Sequence, residues 1–351
     1  MAWTTPLHNR GRVDAAGTCL STEGPGGPTE TQRDEALFVI NNWRSSHGYP
    51  LQVLKMTLLK RAKKIDSKAL VAQRTKRLSS IIIKLKRNDG MQLSRMHDLG
   101  GCRAVMRSVR AVDRLIKQHE KSSGKNPHVR PELIRKYDYI RHPKEDGYRS
   151  VHLVYKYRTG STERSAFNGL RIEIQLRSRL QHAWATAVET ASTFTGQALK
   201  SNIGEPAWKR FFALMGSAIA LREKCPKVPG TPTDKQELIK ELRLVAKELR
   251  IEAVLKSWQV VVDVLGKKSD VHAYLMILDS STRKISVEPF KRDELLSADT
   301  RYLEIEKQNS DNPNIQAVLV SVTSLQALKS AYPNYYLDTT AFLAAFRAAI
   351  G

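Results

Sequence analysis

Residues 170–177 read Leu170-Arg171-Ile172-Glu173-Ile174-Gln175-Leu176-Arg177, a strict alternation of apolar and polar side chains. A period of two is the mark of a strand. Ile172, Ile174 and Leu176 point to one side; Arg171, Glu173, Gln175 and Arg177 point to the other. Burying four charged or polar groups without partners is costly. That second face is therefore expected to be wet or filled by a ligand.

Working outward, residues 150–157 (SVHLVYKY) alternate in the same way, and CRAVM after Gly101 reads as another strand before a helix over 111–121. Upstream, Leu37, Ile40, Trp43, Leu54, Leu58 and Leu59 fall at helical spacing, interrupted near Gly48 and Pro50. Residues 68–86 read as a further helix, with Leu78, Ile81, Ile82 and Leu85 inside and Arg74, Arg77 and Lys84 nearer solvent. Downstream, helices are expected over 179–224. Pro226, Pro229, Gly230 and Pro232 then mark a linker. A long amphipathic helix through Leu238, Leu242, Val245 and Leu249 is expected to reach about Leu265. A hairpin turns at Asp279-Ser280-Ser281, 315–322 reads as a third strand, and a helix over 339–350 is one that Asp338 could cap. The reading divides the chain into a flexible leader (1–33), a first domain (34–225), a connector (226–265) and a small β-containing domain (266–351).

Composition narrows the function. The 351 residues show no apolar N-terminal stretch of signal-peptide type and no run of 18 apolar residues. No membrane role is expected. Cys19, Cys102 and Cys225 are scattered and odd in number, which points to a reducing cytoplasm and away from a disulfide framework or a Cys-x-x-Cys site. The net charge is +23, and it is one-sided: residues 231–351 hold 16 basic and 16 acidic residues, so the excess lies wholly before them. A solubilising basic surface is the plain reading; a polyanionic partner, nucleic acid included, is the sharper one.

Two acids stand among these cations. Asp98 precedes a Gly-Gly pair and Glu173 lies on the polar strand face, so together they could hold magnesium, which prefers hard oxygens plus substrate phosphates. Arg74, Lys76 and Lys84 would line one helix, with Arg95 and Arg103 flanking Asp98. Lys144, Tyr148, Arg149 and His152 follow. Tyr148 comes after Gly147, so its ring could stand exposed for a base to stack on. For His152, a partly buried strand residue is the plainer reading.

Four segments in order, RTKRLSSIIIKL (74–85), RMHDLGGCRAV (95–105), YDYIRHPKEDGYRSVH (137–152) and EIQLRSRLQHAWA (173–185), resemble the successive signatures of RelA/SpoT-type synthetases. The resemblance implies an α+β fold, a nucleotidyltransferase-like mixed sheet flanked by helices. It also implies transfer of the β,γ-pyrophosphate of ATP to a ribose 3′-hydroxyl. Arg74 and Arg103 resemble the pair that sandwiches adenine, and Lys76, Lys84 and Arg95 those that contact ATP phosphates. Asp98 would hold Mg2+; Glu173 would share it or take the 3′-hydroxyl proton. Tyr148 would stack on the acceptor base while Lys144, Arg149, His152, Gln175, Arg177 and His182 orient acceptor and phosphates. Two departures fall at the acceptor. Tyr137-Asp138-Tyr139-Ile140 stands where alarmone makers have Lys-Asp-Tyr-Ile, the lost cation being absent or replaced by Lys136, and His182 stands where Asn is frequent. No hydrolase His-Asp motif occurs in residues 1–70, so synthesis alone is expected.

The C-terminal part has one histidine, His272, and no cysteine after Cys225, so it is not a conventional zinc finger. Its Tyr332-Pro333-Asn334-Tyr335 reads either as core packing or, by resemblance to the fused toxin–antitoxin branch called CapRel, as an autoinhibitory element over the adenine site. That likeness implies a pseudo-zinc-finger-like domain, a phage capsid protein as trigger, and the 3′-CCA end of tRNA as acceptor; no DNA partner is expected. A small alarmone synthetase acting on GDP, GTP or an adenine nucleotide is the alternative. An inactive RNA-binding protein is a third, disfavoured by the presence of both acids and both arginines.

Overall fold

Two capped helices open the chain. Asn9 accepts the Arg12 amide at the start of α1 (Arg10–Ser21), and a reciprocal Thr29–Gln32 capping box starts α2 (Glu30–Ser46). Val13, Ala16 and Leu20 pack beneath Val39 and Ile40. The stretch expected to be a loose leader thus contains a packed helix. The computed structural model describes residues 3–22, 24–121, 131–194, 206–257, 261–264, 270–309, 314–320 and 339–351, with 312 and 328.

Helix α3 (Gly48–Ile65) starts where Gly48 and Pro50 predicted a break, Pro50 sitting in its first turn where no amide is needed. The single helix expected over 68–86 is instead strand β1 (Leu70–Thr75) and helix α4 (Leu78–Arg87). Only the part beyond Lys76 has apolar residues at helical spacing. Before it, each residue from Leu70 to Thr75 pairs antiparallel with β2 (Gly100–Met106), which satisfies both backbones.

Helix α5 (Val109–Lys121), strands β3 (Glu132–Asp138), β4 (Val151–Lys156) and β5 (Arg171–Ser178), and helices α6 (Arg179–Phe194) and α7 (Pro206–Glu223) follow. β3 is a strand the sequence does not announce, because a bulge between Leu133 and Arg135 breaks its alternation. The expected long helix to Leu265 is likewise interrupted. α8 (Lys235–Glu248) ends before Arg250, which takes φ +48°; α9 (Ile251–Ser257) is short; and Val261–Val264 forms β6, parallel to β8 (Lys284–Lys291). The β-branched run there finds more in a sheet than in a helix. β7 (Val271–Asp279) and β8 form the hairpin at its predicted place. α10 (Leu295–Gln308), unannounced, precedes β9 (Ile315–Val320) and the last helix, α11 (Thr340–Ile350). Residues 331–338, with Tyr332, Tyr335 and the suggested cap Asp338, lie outside the described residues.

The nine strands form one mixed sheet, ordered β3-β4-β5-β2-β1-β9-β7-β8-β6. β5 lies between antiparallel β4 and parallel β2. Ile172, Ile174 and Leu176 are fully buried on the face covered by Leu54 and Leu58 of α3 and Val112 and Leu115 of α5. The sheet does not stop at the linker, since β9 pairs with β1 at Arg74 and Val320. α11 also returns to the first half, setting Phe342 and Phe346 at 6.1 and 5.8 Å from the Phe211 ring of α7.

Candidate active site

The face of the first five strands opposite α3 and α5 gathers the polar residues. Register places Tyr137, His152, Gln175 and Arg103 in one row across β3, β4, β5 and β2. Arg135, Glu173 and Arg74 occupy the next row, where Gly101 leaves open space beside Glu173. Arg103 lies opposite Ala72, so Arg103 and Arg74 are diagonal neighbours. At that offset strand residues stand about 7–8 Å apart, room for one planar ring between two guanidinium groups.

A hydrogen-bonded chain runs across this face. The Glu173 carboxylate lies 2.9 Å from His152 Nδ1 through Oε1 and accepts from Gln175 Nε2 at 2.7 Å through Oε2. His152 Nε2 lies 2.8 Å from the Tyr148 hydroxyl, which accepts from Arg177 Nη2 at 2.8 Å. Burial disfavours the imidazolium, but the Tyr148 oxygen and Glu173 outweigh it and lift His152 to about 9. Burial pushes the Tyr148 phenol up, yet Arg177 and His152 bring it down to about 8. Glu173 is lowered: burial raises it, the His152 contact lowers it more, and the nearby Asp98 charge opposes. The charge of Asp98, the other acid that the sequence singled out, thus acts on Glu173.

Asp98 is clamped by Lys76 at 2.8 Å and Lys84 at 2.9 Å, one ammonium on each oxygen. Burial acts to raise its pKa; the two lysines overcome that and hold the carboxyl well below the usual carboxylate range. Among the described residues no three His, Cys, Asp or Glu converge to hold a metal. Asp98 and Glu173 are the acids whose chemistry would suit magnesium, although in this structure their oxygens already meet Lys76, Lys84, His152 and Gln175. Both offer hard oxygens, and the remaining positions would fall to phosphates and water.

Cations crowd the rim. Burial lowers the Arg171 pKa first, followed by Arg10, Arg95 and Arg135; burial likewise lowers that of His97, with Arg171, Lys84 and Arg135 adding to it. Such mutual repulsion is relieved by a polyanion. Arg135, Arg171 and His97 were missing from the sequence-derived set. Arg171 was legible as the outward neighbour of Glu173, whereas Arg135 required knowledge of β3.

Tyr148 is presented differently from the expectation. It is half-buried, 6.3 Å from the Trp184 ring, and not a freestanding platform. Lys144 lies 4.8 Å from the Tyr139 ring centroid and 5.6 Å from that of Tyr148, and Tyr139 stacks with Tyr137 at 5.8 Å. The cause is Gly147, at φ +92°, whose backbone is pressed onto α7: an added Cβ would meet the Phe212 carbonyl oxygen at 2.7 Å. Gly147→Ala should therefore cost at least about 2 kcal/mol, read as a lower urea midpoint; an unchanged midpoint would show that the turn is not constrained.

Other expected residues are placed elsewhere. Arg149 is buried and donates to the carbonyls of Ile140 and Pro226, tying the loop to the linker rather than meeting an acceptor. Lys136 points to the opposite face and bonds Glu120 at 2.8 Å, so it does not replace the cation lost at Tyr137. Arg95 is exposed at the end of a short 3-10 turn, its carbonyl accepting from Arg171 at 2.7 Å. His182 is buried in α6. Arg74, Lys76 and Lys84 lie on a strand, a turn and a helix and not along one helix.

The segment that builds this face is similar to a known class: residues 73–197 match the family model described as a region found in RelA / SpoT proteins. The GTP pyrophosphokinase YwaC of Bacillus subtilis is 30% identical over 122 residues, 32% of this chain and 52% of that protein. The chain thus spans about half the length of this curated relative. Among solved structures, the small alarmone synthetase 2 of Bacillus subtilis is similar over 61% of this chain and 97% of its own, at 18% identity and TM-score 0.40. A GTP pyrophosphokinase family protein from Streptococcus pneumoniae is similar over 56% and 91%, at 20% identity and TM-score 0.41. No described helix is long and apolar enough to cross a membrane.

Proposed function

We propose that this protein is an ATP-dependent pyrophosphokinase acting on a ribose 3′-hydroxyl. The observation that carries the reading is the Lys76–Asp98–Lys84 cluster, held between the end of β1, the start of β2 and helix α4, in the same sheet layer as the Glu173–His152–Tyr148 chain of β4 and β5. Arg74 and Arg103 hold adenine; Lys76, Lys84 and Arg95, with Arg171, hold the ATP phosphates. Asp98 and Glu173 would hold magnesium, which when bound would neutralise phosphate charge. Glu173 takes the 3′-hydroxyl proton as the 3′-oxygen bonds to the β-phosphorus. The bond from that phosphorus to the bridging oxygen breaks, and AMP leaves with the oxygen. His152, held by Tyr148 and Arg177, keeps the carboxylate ionised and aimed.

For the acceptor, the 3′ end of tRNA is our first reading. It is supported by the basic excess before residue 231 and by the stacked pair Tyr137 and Tyr139 flanked by Arg135 and Lys144, which suits unpaired bases. Free GDP or GTP is the second, favoured by the name of the curated relative. We further propose that Tyr332 and Tyr335 restrain the enzyme in the cytoplasm until a protein such as a phage capsid subunit binds the C-terminal half. Tyr332→Ala with Tyr335→Ala is the test: incubated with γ-labelled ATP and tRNA, GDP or GTP, the double variant should label one acceptor at least about tenfold faster than wild type. Label in RNA supports the first acceptor, label in a small nucleotide the second, and label in none removes the pyrophosphokinase reading.

A further inference from the structure

The turn that offers Lys76 to Asp98 is built partly by the C-terminal half. Glu306 of α10 accepts the Leu78 amide at 2.9 Å through Oε1, so the N-terminus of α4 is capped by a carboxylate from 228 residues away. Arg77, the N-cap residue of α4, makes no side-chain capping bond of its own. Its guanidinium instead reaches Gln316 of β9 at 2.7 Å. Glu306 Oε2 forms a 2.9 Å ion pair with Arg44, whose side chain is 3% exposed. Arg44 Nε donates to the Lys76 carbonyl at 3.1 Å, and Tyr302 closes the group, accepting from Arg44 Nη2 at 3.0 Å and donating to Glu306 at 2.7 Å. One carboxylate therefore fixes both sides of Lys76: the carbonyl through Arg44 and the next helix through Leu78. The same helix carries Lys84, the second cation on Asp98.

We propose that Glu306 is a positioning residue for the ATP side of the site, setting the place of Lys76 and Lys84 through the cap on α4; this rests on the pyrophosphokinase reading above. An anionic cap on a helix N-terminus is favoured by the orphan amides and the helix dipole. A small shift of the groups that grip the phosphates is enough to weaken donor use. The consequence is that the C-terminal half is part of the donor site, so removing it would not give a clean, unrestrained enzyme.

The test uses the full chain carrying Tyr332→Ala and Tyr335→Ala, which lifts the proposed restraint and serves as the wild-type reference, with titration of a non-hydrolysable ATP analogue and separate KM values for ATP and acceptor. Glu306→Ala should weaken analogue binding and raise KM for ATP by about tenfold, leaving KM for the acceptor within about twofold. Glu306→Gln keeps an oxygen opposite Leu78 and should recover most of the loss, and Glu304→Ala, an exposed change on the same helix, should have no effect. If Glu306→Ala folds and binds the analogue as wild type does, the inference is overturned while the proposed function stands. If the Tyr332→Ala, Tyr335→Ala background itself binds no analogue, both fall. Should Glu306→Ala fail to fold, Tyr302→Phe removes only the shared hydroxyl; a raised KM for ATP supports the inference and an unchanged one overturns it.

Discussion

Glu173→Gln should lower the rate of pyrophosphate transfer by about 10³-fold, the range spanned by a lost general base. The carboxylate holds His152 at 2.9 Å and feels the charge of Asp98. An amide cannot take the 3′-hydroxyl proton, and it removes the anion that helps keep His152 charged. Side-chain volume is almost unchanged and the β5 register does not depend on the charge, so the chain should fold and still bind an ATP analogue. Initial rates with γ-labelled ATP, beside titration of the analogue, separate these effects. A variant that transfers within tenfold of wild type would remove Glu173 from the chemistry.

Asp98→Asn comes second and acts on fold and function together. Lys76 and Lys84 each place an ammonium on a separate Asp98 oxygen. With the charge gone the two ammonium groups repel across a neutral amide, and one meets an NH₂ donor. Losing one partner of a fully buried pair costs about 3–5 kcal/mol; here the lysines keep some water, so about 2 kcal/mol is expected. Transfer should fall by at least about 10²-fold as the phosphate-binding cations lose their organiser. The pH dependence has a definite sign. The folded pKa of Asp98 lies below its ordinary value of 3.8, so its stabilisation is present above that value and is lost as pH falls through the lower, folded value. The gap in urea midpoint between wild type and Asp98→Asn should therefore be full at neutral pH and close in acid. A gap that stayed constant down to pH 2 would mean the carboxylate contributes nothing through its charge.

How far the site could be read depended on whether its signal was local. β4 and β5 declare themselves because alternation is written into consecutive residues, and the polar face of β5 alone pointed to Glu173, Gln175, Arg177 and Arg171. Asp98, Lys76 and Lys84 were identifiable as a group, yet the geometry assigned to them was wrong, since one helix was expected where β1 and α4 meet at a turn. Arg149 was misassigned because a buried arginine spent on two backbone carbonyls carries the same letter as one that binds phosphate. Arg135 escaped notice because the bulge in β3 hides its face.

Consecutive residues were sufficient for α2, α3, α5, α6 and α7 and for β2, β4 and β5 in the first half, the buried and chemical sides of β5, and the one-sided charge. Each of these follows from spacing along the chain or from simple counting. Pairing between distant segments was needed for the rest. β9 continues the sheet beside β1, α11 inserts two phenylalanines against α7, and Glu306 caps α4 from the far end of the chain. Hydrogen bonds between strands, and a carboxylate meeting an orphan amide, are satisfied by whatever group the folded chain brings near, and no local pattern records which group that will be.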